Sequence, residues 1–191
     1  MGLALLIMNR YSLILQPSPE VVAEVALLKN RLELAIGWYN SKNSLAHITV
    51  NEFETPSSEL EKIKNHITSI VSFLKIKEVH FNRFDTFPNG AFFLAPDENS
   101  RAYLIGIMRH IHQAFVYKTF IKSTEPHISI GRKILPENIL VAKSLFEIPN
   151  LIFLCDRIAL RVFNPERKQF DILEEFIFQE NEQEGKQQCL F

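Results

Sequence analysis

The sequence predicts an α+β fold in which one strand–helix–strand–helix–strand unit occurs twice, giving a duplicated, bilobal chain. Three observations predict it. Pro17 and Pro96, 79 residues apart, each close a strand-like run, and Pro56 and Pro136, 80 apart, each open a helical one. His47-Ile48-Thr49 and His127-Ile128-Ser129 are also 80 apart, each inside a short strand-like run. Long strand-like runs end at Phe87 and Phe163, 76 apart. Landmarks in register across such a period are the signature of a repeat. A pseudo-twofold axis between the repeats brings the two histidine strands to one cleft. We therefore expect one domain over residues 1–178, with repeats over about 10–87 and 90–163, a final strand over about 169–178, and a polar tail over 179–191.

Each element has its own signal. Tyr11–Gln16 reads as a strand ended by Pro17. Ser18 is a helix N-cap, and Val22, Val25, Ala26, Leu28, Leu32 and Ile36 give the helix over Pro19–Ile36 its apolar stripe. The first histidine strand runs to Phe53, and a second helix runs from Pro56 to about Leu74. Ile76–Phe87 alternates as a long strand, and Pro88-Asn89-Gly90 turns the chain. Ala91–Ala95 starts the second repeat, and Asp97 or Asn99 caps a helix to about Tyr117. A polar loop precedes the second histidine strand. Pro136 then opens a short helix to about Phe146, and Leu151–Phe163 reads as one long strand. Gln169–Phe178 is the last strand, and the polar residues after it read as frayed.

Composition narrows the function classes. The chain has 191 residues, 47% of them hydrophobic, which is ample for a core. Its formal net charge is −1, which argues against a large sequence-independent nucleic-acid surface. Cys155 and Cys189 form no metal or redox spacing and suit a reducing compartment. Met1–Met8 is apolar but too short to cross a bilayer, Leu6 breaks the myristoylation pattern, and Cys189 is misplaced for prenylation. The expectation is a soluble, cytoplasmic monomer without membrane contact, cofactor or metal.

Strand alternation puts His47 and Thr49 on one face and Ile48 and Val50 on the other. His127 and Ser129 oppose Ile128 and Ile130 in the same way. Each strand buries its aliphatic side and offers an imidazole beside a hydroxyl. Two imidazoles in one cleft suit general acid–base catalysis near neutral pH, one taking a proton while the other gives one. Two hydroxyls suit the non-bridging oxygens of a phosphate.

These motifs, His47-Ile48-Thr49-Val50 and Pro126-His127-Ile128-Ser129-Ile130-Gly131-Arg132, resemble the paired His-x-Thr/Ser motifs of the 2H phosphoesterase superfamily. The closer likeness is to its bacterial 2′-5′ RNA ligase and cyclic phosphodiesterase branch. The resemblance implies two antiparallel sheets lining a central cleft with helices outside. It implies metal-independent hydrolysis or formation of phosphodiester bonds at RNA termini or in nucleotides, commonly 2′,3′-cyclic phosphates. It makes His47 and His127 the acid–base pair and Thr49 and Ser129 the phosphate contacts. Asn51-Glu52-Phe53 stands where the RNA ligase branch carries an aromatic–Leu–Gly run.

Other residues are less specific. Arg132 reads equally as an exposed strand-end charge and as a phosphate contact. Tyr11 and Phe53 are candidate substrate contacts, and Phe53, Phe92 and Tyr103 are candidate base-stacking residues, with core packing the plainer role for Phe53 and Phe92. His110 and His112 do not make a metal pair, because residues two positions apart on a helix are rotated by about 200°. His66 and His80 read as packing or surface residues. Three alternatives stay open: a related enzyme for another small cyclic phosphodiester such as an ADP-ribose cyclic phosphate, an RNA-end binding module without turnover, and a purely structural protein.

Overall fold

The computed structural model describes residues 7–181. Strand β1 (Met8–Leu15) leads to helix α1 (Pro19–Ile36), whose first turn is closed by Ser18 Oγ accepting from the Val21 amide. Gly37, at φ +78°, ends it and donates to the Glu33 carbonyl. Strand β2 (Ile48–Pro56), helix α2 (Leu60–Val71) and strand β3 (Lys77–Phe87) complete the first half. The second half runs through strand β4 (Ala91–Pro96), helix α3 (Glu98–Ala114), strand β5 (Thr119–Lys122), strand β6 (Ile128–Gly131) and helix α4 (Pro136–Leu145). It ends with strands β7 (Leu151–Cys155), β8 (Arg157–Asn164) and β9 (Gln169–Ile177). Asp97 is the N-cap of α3, its Oδ1 2.7 Å from the Ser100 amide.

Two antiparallel sheets result, ordered β5-β2-β1-β8-β9 and β6-β4-β3-β7. The triplets β2-β1-β8 and β6-β4-β3 correspond, and in each the third strand comes from the other half of the chain. Thus β3 pairs with β4, and β8 returns to pair with β1. Both histidine strands carry a bulge at the same place. Leu13 and Ile14 face Asn51 and Thr49, leaving Val50 as the extra residue. Phe92 and Phe93 face Gly131 and Ser129, leaving Ile130 as the extra residue. One apolar core, including Leu13, Leu15, Ile48, Val50, Phe81, Phe92, Ile128, Ile130 and Leu160, runs under both sheets against the helices.

Three expectations need correction. The long strand expected over 151–163 is two strands broken at Asp156, because the chain there leaves one sheet for the other. The helix expected to reach Tyr117 stops at Ala114, and Thr119–Lys122 pairs with β2 as an edge strand. The tail read as frayed from Gln179 is held over its described start. There the Asn181 amide donates to the Ser72 carbonyl, and the Glu180 carboxylate accepts from the Ile76 amide. The remainder of that tail, with Cys189, lies outside the described residues.

Candidate active site

His47 sits immediately before β2 and His127 immediately before β6. The two segments have the same burial pattern. Ala46, Ile48 and Val50 are buried while His47 and Thr49 are half-buried, and Pro126, Ile128 and Ile130 are buried while His127 and Ser129 are half-buried. Each imidazole is held by the same device. His47 Nδ1 donates to the Leu45 carbonyl at 2.6 Å, and His127 Nδ1 donates to the Glu125 carbonyl at 2.9 Å. Fixing the Nδ1 proton on a carbonyl selects one tautomer and leaves Nε2 as the working nitrogen. Neither Nε2 has a protein partner among the described residues.

The surroundings of the two rings differ. His127 is wedged against Phe87 and Phe93, with ring centroids 5.2 and 5.0 Å away. Burial lowers its pKa below the ordinary value, the Glu125 carbonyl and carboxylate oppose that, and Arg132 adds to it. The Glu125 carboxylate is itself gripped by Arg101 through two contacts of 2.6 Å. His47 lies among cations. Burial pushes its pKa well down, and the charges of Arg161, Lys29 and Arg132 push the same way against the Leu45 carbonyl. Arg132 thus acts on both imidazoles. Its amide donates to the Asn40 carbonyl, which ties the second motif to the loop before the first.

A cavity of about 700 Å³ opens beside the first motif, lined by His47, Thr49, Arg132, Arg161, Phe163 and Phe170 among others. His127 and Ser129 are not part of its wall. They belong to the other sheet, and Arg132 is the sequence-predicted residue that both lines the cavity and acts on His127. A groove of about 800 Å³ between the start of α1 and β7 holds no imidazole.

Tyr11 and Phe53, expected near the substrate, are core residues. They are 2% and 0% exposed and stack on one another with centroids 5.6 Å apart. The bulge at Val50 is the reason. It reverses the alternation of β2, so that Glu52 rather than Phe53 follows Thr49 on the cavity side. Phe92 is likewise buried against Phe84, and the Tyr103 hydroxyl donates to the Lys75 carbonyl. His112 donates to the Val50 carbonyl and His66 to the Ala114 carbonyl, so both are structural. Among the described residues no His, Cys, Asp and Glu side chains cluster as a metal site. No described helix is long and apolar enough to cross a membrane.

Sequence reasoning missed Arg161, Arg10, Phe163, Phe170 and Trp38, which all border the cavity. Arg161 did leave a signal, as a lone cation in the apolar run Ile158-Ala159-Leu160-Arg161-Val162.

A family model described as the 2′-5′ RNA ligase superfamily matches residues 17–166. The chain belongs to this superfamily. None of the curated proteins matches it. Among solved structures, this superfamily member is similar to E. coli LigT complexed with 3′-AMP, at 12% identity and a TM-score of 0.61, covering 90% of this chain and 99% of that one. It is similar to E. coli LigT complexed with ATP at 13% identity and a TM-score of 0.59, covering 90% and 98%. It is also similar to TT0787 of Thermus thermophilus at 17% identity and a TM-score of 0.58, covering 89% and 98%. These likenesses are of fold, an α+β 2H phosphoesterase architecture whose sheets are the pair described above.

Proposed function

We propose that this 2′-5′ RNA ligase superfamily member is a phosphoesterase acting on a 2′,3′-cyclic phosphate or a 2′-5′ phosphodiester of a nucleotide or RNA end, with His47 and His127 as its acid–base pair. The observation that carries the reading is the matched pair of imidazoles. Each is fixed through Nδ1 to the carbonyl two residues upstream, and each is followed two residues on by a half-buried hydroxyl, Thr49 or Ser129. E. coli LigT has been crystallised with 3′-AMP and with ATP, both nucleotides, which supports the substrate class.

In this reading the substrate phosphate lies between the motifs. Thr49 and Ser129 donate to its non-bridging oxygens, and Arg132 offsets its charge. One Nε2 takes the proton of an attacking water as the new P–O bond forms. The other Nε2, protonated, gives its proton to the departing 2′ or 3′ oxygen as the old P–O bond breaks. In ligation the 5′-hydroxyl of a second RNA end takes the place of that water, one Nε2 taking its proton while the other protonates the departing oxygen of the cyclic phosphate; the reverse of that step exchanges the two roles. Both imidazole pKa values lie below the ordinary value in the free protein, so both rings are neutral at pH 7. Bound phosphate, an anion, raises both, so that one ring takes up a proton from solvent and serves as the acid.

The test is hydrolysis of nucleoside 2′,3′-cyclic monophosphates, and of short RNAs ending in a cyclic phosphate, in excess chelator. Wild type should turn over and give one phosphate regioisomer. His47→Ala and His127→Ala should each lower kcat at least about 100-fold. Wild-type turnover in both single variants would overturn the mechanism.

A further inference from the structure

Arg161 is a buried charge without a counter-charge. It lies on β8, only 6% exposed, in the wall of the cavity that holds His47 and Thr49. One guanidinium nitrogen donates to Ser12 Oγ at 3.1 Å, the group lies 5.0 Å from the Phe170 ring centroid, and its Nε is buried with no partner. Among the described residues it makes no salt bridge. Glu52, the carboxylate whose charge reaches it, is held by Arg10 through both Nε and a terminal nitrogen. Burial and the Arg132 charge bring its pKa down to about 10, so it remains cationic at pH 7. A buried charge left unpaired is costly, and folded proteins keep one where a ligand completes it.

The fold itself does not require the charge. Arg161 pairs with Ser12 in β1, and the equivalent pair in the other sheet is Phe87 with Ala91 in β4. One half therefore places an aromatic ring against its histidine at the position where the other half places a cation. Arg132, also without a salt bridge among the described residues, lines the same cavity. Two free cations exceed what a single phosphodiester anion needs. Phe163 on β8 and Phe170 on β9 border the cavity, and Trp38 borders it from the segment after α1, as base-stacking surfaces do in single-strand binders.

We infer that Arg161 anchors a second phosphate subsite on the β1–β8–β9 floor, so that the preferred substrate is the end of an oligonucleotide, whose neighbouring phosphodiester reaches Arg161, rather than a mononucleotide. The inference rests on the two-histidine reading for the reacting phosphate, and its test separates the two.

Three substrates serve: a nucleoside 2′,3′-cyclic monophosphate, a dinucleotide ending in a 2′,3′-cyclic phosphate, and the same dinucleotide with a neutral methylphosphonate linkage. The wild type should favour the charged dinucleotide over the neutral one by about tenfold or more in kcat/KM, chiefly through KM, as expected for one charge-assisted contact. In Arg161→Gln that ratio should fall to near one whatever the overall turnover, and Arg161→Lys should restore part of it. A wild type indifferent to the linkage charge overturns the inference without any variant having to fold. So does an Arg161→Gln enzyme that keeps the ratio. Calorimetric binding of the two dinucleotides to the His47→Ala/His127→Ala variant provides the separation. Preference for the charged linkage there supports the subsite even if the two-histidine chemistry fails, and no preference overturns it.

Discussion

At the residue scale, the two imidazoles share a tether but not a neighbourhood, and this has a measurable consequence. Arg161 depresses the His47 pKa, and Arg132 depresses both. A cation nearby disfavours the imidazolium, so removing it raises the pKa. Arg161→Gln should therefore raise the His47 pKa and shift His127 less, which a titration of the histidine ring resonances by NMR reads directly. Arg132→Gln should raise both. Equal shifts at the two rings in Arg161→Gln would place Arg161 midway between them. The histidines and hydroxyls were legible in the sequence because alternation within four residues is local. The neighbours that tune them were not. Arg161 meets His47 only through the pairing of β1 with β8, and Phe53 left the cavity face because of a bulge whose register is set by β1.

At the element scale, the loop between α1 and β2 positions His47, and its anchor is a lysine. Lys29 is 2% exposed, and its ammonium donates to the Ser41 carbonyl at 3.2 Å and the Ser44 carbonyl at 2.5 Å. Burial lowers its pKa to about 8. The next carbonyl, that of Leu45, holds the His47 ring. Lys29→Met keeps the apolar stem but leaves the Ser44 carbonyl without its donor, whereas the Ser41 carbonyl keeps the Ser44 amide and hydroxyl; the loss costs about 1–3 kcal/mol by the usual penalty for a buried unsatisfied group. The expected outcome is a lower Tm together with a weakened His47 tether, seen as a reduced kcat that Lys29→Arg partly restores. Gly131 is a second constraint, because a Cβ there would collide with Ile134 Cδ1 and lie 3.1 Å from Tyr39 Cδ2. Gly131→Ala should destabilise the end of β6, measurable as faster amide exchange of Ser129 and Ile130. The start of α1 was legible from its Ser18 cap and its span from its apolar stripe, whereas Gly37, which ends it, enters only with the structure. The break at Asp156 was not, since residues 151–163 hold no proline or glycine to mark a turn and only the two sheets they join decide where the strand divides.

At the scale of the whole molecule, the duplication was legible but the exchange was not. Periodicity places like residues in register without saying whose third strand completes which sheet. Because β8 completes the sheet of the first half and β3 that of the second, neither half holds a finished sheet or core. A fragment of residues 7–89 should be unfolded by circular dichroism and NMR, and the intact chain should unfold in one transition seen alike by far-UV signal and Trp38 fluorescence. The two imidazoles also set an acid limit. The unfolded chain protonates its imidazoles near pH 6.5. The folded chain holds the His47 and His127 pKa values below that, so between the two limits the unfolded state binds more protons. Stability attributable to these groups is present above about pH 6.5 and is lost as the pH falls from there towards the folded values. The lowered carboxylates, Asp97 and Glu125 among them, act only further down, near and below their ordinary range. Tm should therefore fall between about pH 6.5 and 5, and a His47→Gln/His127→Gln variant should show a flatter profile across that window. Parallel profiles for the two proteins would mean that the imidazoles take up protons as readily in the folded chain as in the unfolded one. Inorganic phosphate at several millimolar should flatten the wild-type profile in the same direction, because an anion between the motifs raises both folded pKa values towards that of the unfolded chain.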